Sequence, residues 1–440
     1  MPARRPGPRF RLDLLLHNTH MAFETISVLG LGYIGLPTAT VFASRKLKVI
    51  GVDVNPHAVE TINRGQVHIV EPDLDMLVQA AVSQGYLRAV MQPEPANAFL
   101  IAVPTPFDDQ RKPNLSYVMD AARAIAPVLK RSDLVVLEST SPVGTTEQMA
   151  QVLAEARPDL SFPQQRGEQS DIRIAHCPER VLPGHVLREL VENDRVIGGM
   201  TARCGEAAQS LYEVFLRGNC HLTSVRTAEM CKLTENAFRD VNIAFANELS
   251  MICDALDVNV WELIQLANRH PRVDILQPGP GVGGHCIAVD PWFIVDSAPE
   301  RTPLIRAARS VNDLKPGYVV DRIRQVAGRL KNPVIACLGL AFKANIDDLR
   351  ESPSVDILRA LLQADVGRVL VVEPHVKSLP PELAQAELTD LPQAMAHADV
   401  IVLLVDHKAF AGVDTDRLQT KAVIDTRGMW SSRRATLARV

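Results

Sequence analysis

Short apolar runs alternate with amphipathic stretches from Thr25 to about residue 205. Runs such as TISVL, KVIGV, FLIAV, DLVVL and RVIGG are followed by glycine or proline turns or by polar residues, which is typical of buried strands. The intervening stretches, such as YVMDAARAIAPVLK and TEQMAQVLAEA, have the spacing of helices that are apolar on one side. This alternation predicts an α/β lobe with a doubly wound parallel sheet.

The pattern changes after residue 205. Residues 206–272 contain no run typical of a strand, and residues 229–256 form a long helical pattern without glycine or proline. We expect a central helical segment whose apolar surface either meets a second copy of the chain or packs in an ordinary core. A second, smaller strand–helix pattern begins at Pro333. The expected fold is therefore two Rossmann-like α/β lobes joined by a central helical segment.

The expected domain boundaries follow from these changes. They are a disordered tail or over-long start at 1–20, an N-terminal α/β domain at 21–205, a central helical domain at 206–325 and a C-terminal Rossmann-like domain at 326–440.

Composition narrows the class of protein. The chain has 440 residues and a net charge of −4, so it lacks the basic field of a protein whose main partner is nucleic acid. No apolar run approaches the roughly 20 residues that span a bilayer, so no membrane partner is expected. The seven cysteines stand singly, with no CxxC pair, which argues against a disulfide framework or a metal site. We expect a reducing, cytoplasmic setting.

Residues 30–35 read GLGYIG between a predicted strand and a predicted helix. In such a motif Gly30 allows a tight turn, Gly32 lets a pyrophosphate approach the backbone, and Gly35 allows close helix–strand packing. Asp53 ends the second strand, where a carboxylate accepts hydrogen bonds from ribose hydroxyls and repels a 2′-phosphate. The pattern predicts an NAD site that includes Tyr33 and Ile34. The alternative is a structural glycine turn with a solvated Asp53.

Two threonines follow strands of the same lobe. Thr105 lies in VPTP and Thr140 in STSPVG. Ligands of open parallel sheets bind beyond the carboxyl ends of strands, so both hydroxyls are candidate cofactor contacts. Turn-capping hydroxyls are the equally good alternative.

A cysteine follows a glycine-rich loop at residues 277–290, which read QPGPGVGGHCIAVD. Four glycines and two prolines precede Cys286, so this backbone must approach other atoms closely. A thiol there is a candidate nucleophile, with a structural thiol as the alternative. Asp290 is placed to orient a base or a water, or to satisfy the loop backbone. A thiol beside NAD suggests a four-electron oxidation, because a thiohemiacetal carries the second hydride that an aldehyde must lose.

The long predicted helix carries Lys232, Asn236 and Arg239 at i, i+4 and i+7, on one side and among apolar neighbours. Such a stripe is either a solvated face or part of a site. In a site, the lysine acts as a general base or stabilises an oxyanion beside the amide.

Seven motifs occur in order between about residues 25 and 428: GLGYIGLP, VPTP, STSPVG, CPER, the KxxxN helix, GGHC with its aspartate, and AFKANIDDLRES. Together they resemble the UDP-glucose/GDP-mannose dehydrogenase family. The resemblance implies an N-terminal NAD lobe, a helical dimerisation core and a C-terminal lobe that binds a UDP-sugar. It also implies a C6 alcohol oxidised to a uronic acid with two NAD, for polysaccharide biosynthesis.

The resemblance implies site residues motif by motif. The implied catalytic residues are Cys286, Lys232, Asn236, Asp290 and Glu179. The implied cofactor residues include Thr105, Thr140 and Lys343 besides the glycine motif and Asp53. The implied substrate contacts are Arg180, Val181, Lys232, Asn236, Arg239, His270, Arg272, Gly281, Phe342, Lys343 and Arg350, with His270 and Arg272 reaching into a neighbouring subunit. No metal is implied.

Two motifs bear on which sugar the UDP-sugar carries. RHPRV and PGPGVGGHCIAVDPWFI resemble the UDP-N-acetylhexosamine branch, which implies UDP-N-acetyl-D-mannosamine. Many UDP-glucose members carry Cys-Leu-Pro-Lys-Asp where this chain has Cys-Ile-Ala-Val-Asp, which argues against glucose. UDP-GlcNAc, UDP-GalNAc and UDP-glucose remain alternative substrates. A two-electron dehydrogenase and a non-catalytic module that binds NAD and a nucleotide sugar are the other readings.

Overall fold

The computed structural model describes residues 23–108, 110–182, 184–284 and 286–430. The expectation for residues 1–20 lies outside this part of the chain. The strands are β1 Thr25–Leu29, β2 Lys48–Val52, β3 Leu87–Val90, β4 Ala98–Ile101, β5 Leu134–Leu137, β6 Arg173–His176, β7 Arg195–Gly199, β8 Cys220–Ser224, β9 Val334–Leu338, β10 Arg368–Val372, β11 Glu387–Leu388, β12 Val400–Leu403 and β13 Ala422–Asp425.

Helices separate most of these strands, and the central part of the chain is helical. They are α1 Gly35–Ser44, α2 Pro56–Asn63, α3 Leu74–Ser83, α4 Ser116–Ile125, α5 Thr145–Ala156, α6 Pro163–Arg166, α7 Val186–Glu192, α8 Ala202–Tyr212, α9 Val225–Ala255, α10 Val260–Ala267, α11 Asp290–Ser297, α12 Pro303–Ala327, α13 Pro353–Gln363 and α14 Leu391–His397.

The chain divides into two compact units, and the first comprises residues 1–103, 121–138 and 150–224. Its eight-stranded sheet has the order β3-β2-β1-β4-β5-β6-β7-β8. Strands β1 to β6 run parallel, whereas β7 is antiparallel to β6 and parallel to β8. Strands β4 and β5 are buried along their whole length, as expected where helices cover both faces. The predicted parallel α/β lobe is confirmed.

Strand β8 corrects one expectation. Residues 206–272 were expected to contain no strand, yet Cys220–Ser224 pairs with β7 at the sheet edge. Its residues are mostly exposed, so the sequence CHLTS lacks the apolar run that identifies a buried strand. The first unit therefore continues to Ser224, beyond the expected boundary at residue 205.

The second unit comprises residues 104–120, 139–149 and 225–440. It joins the long helices α9 and α12 to a five-stranded parallel sheet with the order β11-β10-β9-β12-β13. The helical segment and the second lobe thus belong to one unit, and the predicted architecture of two sheets and a helical region is confirmed. Two short segments from the first part of the chain, which carry Thr105 and Thr140, also belong here.

Membrane-spanning helices and metal-binding clusters are both absent from the described ranges. No helix there combines the length and the apolar character needed to cross a bilayer. No cluster of three or more histidine, cysteine, aspartate or glutamate side chains there is arranged to hold a metal ion.

Candidate active site

The glycine turn of the first unit has the geometry that a dinucleotide motif requires. Gly30 adopts φ +87°, and its N–H donates to the carbonyl of Val52 at 2.8 Å. A Cβ on Gly30 would lie 2.6 Å from the carbonyl oxygen of Ala102, and one on Gly35 would overlap the carbonyl of Gly30. Around Gly32, by contrast, a Cβ would meet nothing within 4 Å. Two glycines are thus required by packing, and the third leaves open space beside the backbone.

Asp53 is tied to this turn. Its Oδ2 accepts the N–H of Leu31 at 2.8 Å, and its Oδ1 accepts the N–H of Asn55 at 2.9 Å. The carboxylate is only half-buried, so it keeps lone pairs for a ligand. Tyr33 is exposed and Ile34 half-buried at the start of α1.

Glu179 also belongs to the first unit, where it is held by an ion pair. Its Oε2 accepts from the Arg195 guanidinium at 3.0 Å, and its Oε1 accepts the N–H of Arg180 at 2.9 Å. Arg195 stacks on the ring of Tyr212, 4.4 Å from its centroid. Burial in this cluster raises the pKa of nearby Glu138 to about 7. Among the predicted substrate residues, Val181 packs partly buried against the sheet core.

A polar group lies on α9 in the second unit. The amide Nδ2 of Asn236 donates to Oδ2 of Asp290 at 2.5 Å. Asp290 begins α11 and is 3% exposed. Burial raises the pKa of Asp290 to about 6, and the Asn236 hydrogen bond and the positive charge of Lys232 oppose that rise. The structure therefore brings three of the predicted catalytic side chains together.

Cys286 completes this group. Its carbonyl accepts the N–H groups of Val289 and Asp290 at 3.0 and 2.9 Å, so the residue lies one turn before α11. The residue is exposed at the protein surface. Desolvation and the charge of Asp290 raise the pKa of the Cys286 thiol, and Lys232 lowers it. The other six cysteines are thiols that are wholly or partly buried.

The loop that leads to Cys286 is packed on residues 342–353. Gly284 donates its N–H to the carbonyl of Glu351 at 3.1 Å. A Cβ on Gly283 would overlap that carbonyl, and one on Gly284, where φ is +82°, would lie 3.0 Å from the ring of Phe342. A Cβ on Gly281 would lie 2.8 Å from Pro353. The expected close approach of this backbone is present, and it fixes the thiol loop to the segment that carries Phe342.

The start of the same loop is held by buried side chains that the sequence analysis missed. Asn247 accepts the N–H of Gly279 at 2.9 Å and donates to Asn312 at 2.9 Å. Asn312 in turn donates to Asp240 at 2.8 Å, and Arg309 donates to the same oxygen at 2.6 Å. Asp240 and Asn247 follow Asn236 at i+4 and i+11, which places them on the same side of α9. The sequence shows that these residues share one side of α9, but it does not show that this side is buried.

The remaining predicted residues of the second unit lie at its surface or in loops. The Thr105 hydroxyl donates to the carbonyl of Thr140 at 2.5 Å, so the two loops are joined. Arg350 makes a two-pronged ion pair with Asp348 at 2.9 and 2.7 Å. The other predicted contacts in this group are exposed: Arg239, His270, Arg272 and Lys343.

Comparison with known families covers most of the chain. Models of the UDP-glucose/GDP-mannose dehydrogenase family match in three parts: the NAD binding domain at residues 24–216, the central domain at 226–314 and the UDP binding domain at 336–432. The resemblance inferred from the motifs is confirmed, and so is NAD as the cofactor.

Individual relatives match over nearly their whole length. NDP-N-acetyl-D-galactosaminuronic acid dehydrogenase of Ralstonia nicotianae is 73% identical over 94% of this chain and 97% of that protein. UDP-N-acetyl-D-mannosamine dehydrogenase of Yersinia pestis is 63% identical over 93% of this chain and 100% of its own. A solved structure of UDP-D-ManNAc dehydrogenase from Pyrococcus horikoshii superposes with a TM-score of 0.83 at 39% identity, over 92% and 96% of the two chains.

Proposed function

The chain belongs to the UDP-glucose/GDP-mannose dehydrogenase family of NAD-dependent oxidoreductases, and from that premise we propose that it oxidises the C6 alcohol of UDP-N-acetyl-D-mannosamine to UDP-N-acetyl-D-mannosaminuronate. The observation that carries the proposal is the thiol of Cys286, an exposed residue that lies within the electrostatic influence of Lys232 and Asp290. A site for hydride transfer alone needs no such thiol.

The glycine turn of the first unit fits NAD. Open space beside Gly32 admits a pyrophosphate to the backbone, and the N-terminus of α1 favours its charge. Asp53 keeps acceptor capacity for ribose hydroxyls and disfavours a 2′-phosphate. When bound, NAD supplies the hydride acceptor for both oxidations. Tyr33, Ile34, Thr105, Thr140 and Lys343 are the further proposed cofactor contacts.

The chain's own residues handle the carbon and the protons. Lys232 takes the proton of the C6 hydroxyl or donates to the oxygen that becomes negative, with the Asn236 amide as second donor. The Cys286 thiol then adds to the aldehyde carbon: a C–S bond forms as the carbonyl π bond opens, and the thiol proton passes through Lys232 to the oxygen of the resulting thiohemiacetal. After the second oxidation the product is a thioester. Water cleaves that C–S bond, with Asp290 or Glu179 orienting it, and releases the acid and the thiol.

We assign substrate recognition to three groups of residues. Phe342 and Gly281 lie in the two segments that pack on each other, and Arg350 and Lys343 offer positive charge for a diphosphate. Arg180, Val181, Arg239, His270 and Arg272 are the remaining proposed contacts.

A second candidate substrate has a specific observation in its favour. The Ralstonia nicotianae relative, at 73% identity, is named for N-acetyl-D-galactosaminuronic acid, which points to UDP-GalNAc. Incubation of the chain with NAD and each of UDP-ManNAc, UDP-GalNAc, UDP-GlcNAc and UDP-glucose, followed at 340 nm for NADH, separates the candidates. We expect the highest kcat/KM with UDP-ManNAc. A higher value with UDP-GalNAc overturns that choice of sugar, and NADH from UDP-glucose alone overturns the whole assignment.

We also propose a homodimer formed through α9. Phe238, Phe245 and Ile252 are 70%, 51% and 46% exposed and follow each other at seven-residue intervals, so they form one apolar stripe on the helix. Phe245→Glu should shift the sedimentation coefficient of the wild-type dimer to that of a monomer. Met76→Glu, at another exposed apolar position, is the control that should stay dimeric. A monomeric wild type contradicts the proposal.

The chemistry of the thiol also suggests where the protein works. Cys286 must stay reduced to act as a nucleophile, and all seven cysteines are present as thiols rather than disulfides. We propose the cytoplasm, which cell fractionation tests directly.

A further inference from the structure

Glu229 is a buried carboxylate on α9, three residues before Lys232. It is 1% exposed, and its two oxygens accept hydrogen bonds from one loop and from the first turn of α5. Oε2 accepts the N–H of Gly144 at 2.7 Å, and Oε1 accepts the N–H and the hydroxyl of Thr146 at 2.8 and 2.7 Å. All of these residues belong to the second unit.

The loop that Glu229 holds is the one that carries Thr140. It ends at the N-terminus of α5, where free backbone N–H groups need acceptors. Gly144 precedes the helix with φ +98° and has no side chain to cap it. The cap therefore comes from α9, so the position of the loop is set by the helix that also carries Lys232 and Asn236.

A second loop is joined to the first. The hydroxyl of Thr105 donates to the Thr140 carbonyl at 2.5 Å. One carboxylate thus connects α9 to both threonine loops. Burial of a carboxylate is costly, and here it is compensated by three donors, one from the loop and two from the first turn of α5.

We propose that Glu229 is a positioning residue for the oxidation: it sets Thr140 at its working distance from Lys232 and Asn236. The proposal rests on the proposed function, because Thr140 is assigned there as a cofactor contact. Glu229 touches none of the reacting groups and acts through the loop. Misplacement of a contact by about 1 Å is enough to lower a rate by one to two orders of magnitude.

An exposed ion pair beside it provides a matched control. Arg226, also in the first turn of α9, donates to Glu147 at 2.9 and 2.6 Å, with its side chain 64% exposed. This pair links the same two elements, but exposed pairs contribute little. Arg226→Ala should therefore change kcat/KM for NAD by less than about twofold.

The test is a double-mutant cycle on an active enzyme. Glu229→Gln keeps the shape and presents an amide donor to the Gly144 or Thr146 N–H, so kcat/KM for NAD should fall about tenfold or more. Thr140→Val should lower kcat/KM for NAD by a similar factor. If Glu229 acts through Thr140, the two losses do not multiply: kcat/KM of the double variant for NAD should lie within about twofold of that of the less active single variant. Independent, multiplicative losses overturn the proposal, as does a Glu229→Gln enzyme within twofold of the wild type.

Two further measurements keep the outcome clear. Thr146→Val removes one of the three donors to Glu229 and is a milder change, so it can be measured even if Glu229→Gln fails to fold. We expect it to lower kcat/KM for NAD several-fold. An unchanged kcat/KM overturns the proposal. Turnover of the wild type with the UDP-sugar panel comes first. An inactive wild type refutes the proposed function, whereas multiplicative losses in an active enzyme refute only the role of Glu229.

Discussion

Replacement of Asp290 by asparagine should stabilise the protein while it impairs the reaction. Asp290 is 3% exposed, and burial raises its pKa from 3.8 to about 6. The Asn236 hydrogen bond at 2.5 Å and the charge of Lys232 offset only part of the desolvation. Asparagine has nearly the same shape and removes the buried charge, so the destabilising component disappears with it.

The magnitude follows from the shift. A rise of about two pKa units corresponds to roughly 3 kcal/mol of destabilisation of the ionised folded form. Loss of the charge also weakens the bond from Asn236, by about 1 kcal/mol. We therefore expect Asp290→Asn to raise the free energy of unfolding at pH 7–8 by about 2 kcal/mol.

The sign of the pH dependence is fixed by the direction of the shift. The folded state holds a proton on Asp290 below about pH 6, whereas the unfolded state does so only below 3.8. The destabilisation by the carboxylate is fully present above pH 6 and disappears as the pH falls toward 3.8. The advantage of Asp290→Asn over the wild type should shrink across the same window.

Urea unfolding at pH 7.5, 6.0 and 5.0 measures this advantage, with NADH formation followed on the same samples. Asp296→Asn is the matched control: it removes an exposed carboxylate from the same helix and should change stability by less than about 0.5 kcal/mol. Equal or lower stability of Asp290→Asn at pH 7.5, or an advantage that grows on acidification, would show that the buried Asp290 charge does not destabilise the fold.

Three further predictions concern the glycine-rich loop before Cys286, the ion pair between Arg309 on α12 and Asp240 on α9, and the Cys286 thiol. Gly283→Ala should abolish turnover, measured as kcat, because its Cβ overlaps the Glu351 carbonyl; near-normal kcat would show that the loop docks differently. Arg309→Leu removes the guanidinium charge that pairs with the buried Asp240 carboxylate and should cost about 3–5 kcal/mol in urea unfolding, part of which Asp240→Asn in the same chain restores. Alkylation of Cys286 by iodoacetamide should still be accelerating at pH 9, because its thiol pKa is raised; a plateau below pH 8 would contradict the described surroundings.

Local signals in the sequence were enough for the glycine turn and the main architecture. At Gly30 and Gly35 the reason for glycine is a backbone contact, and the motif places that contact next to a strand and a helix that are apolar themselves. Strand β8 was missed because its residues are mostly exposed and it pairs with β7 at the edge of the sheet. Edge strands of this kind carry little apolar signal.

The site was predictable only in part. A polar residue in a helix has the same appearance in the sequence whether it faces water or a buried loop. Arg239 was placed in the polar stripe but is exposed, whereas Glu229 and Asn247 were passed over and are buried. Their partners are Gly144 and Gly279, whose N–H groups lie in loops far along the chain and leave no mark on the helical pattern.

We propose that a single thiol lets one active site remove four electrons from the sugar. The most direct measurement is the amount of NADH formed per UDP-sugar consumed, compared between the wild type and Cys286→Ser. We predict a ratio close to two for the wild type, with uronic acid as the product, and a stall at the aldehyde or at a trapped ester for the serine variant. A wild-type ratio of one, or normal acid production by Cys286→Ser, would contradict the account.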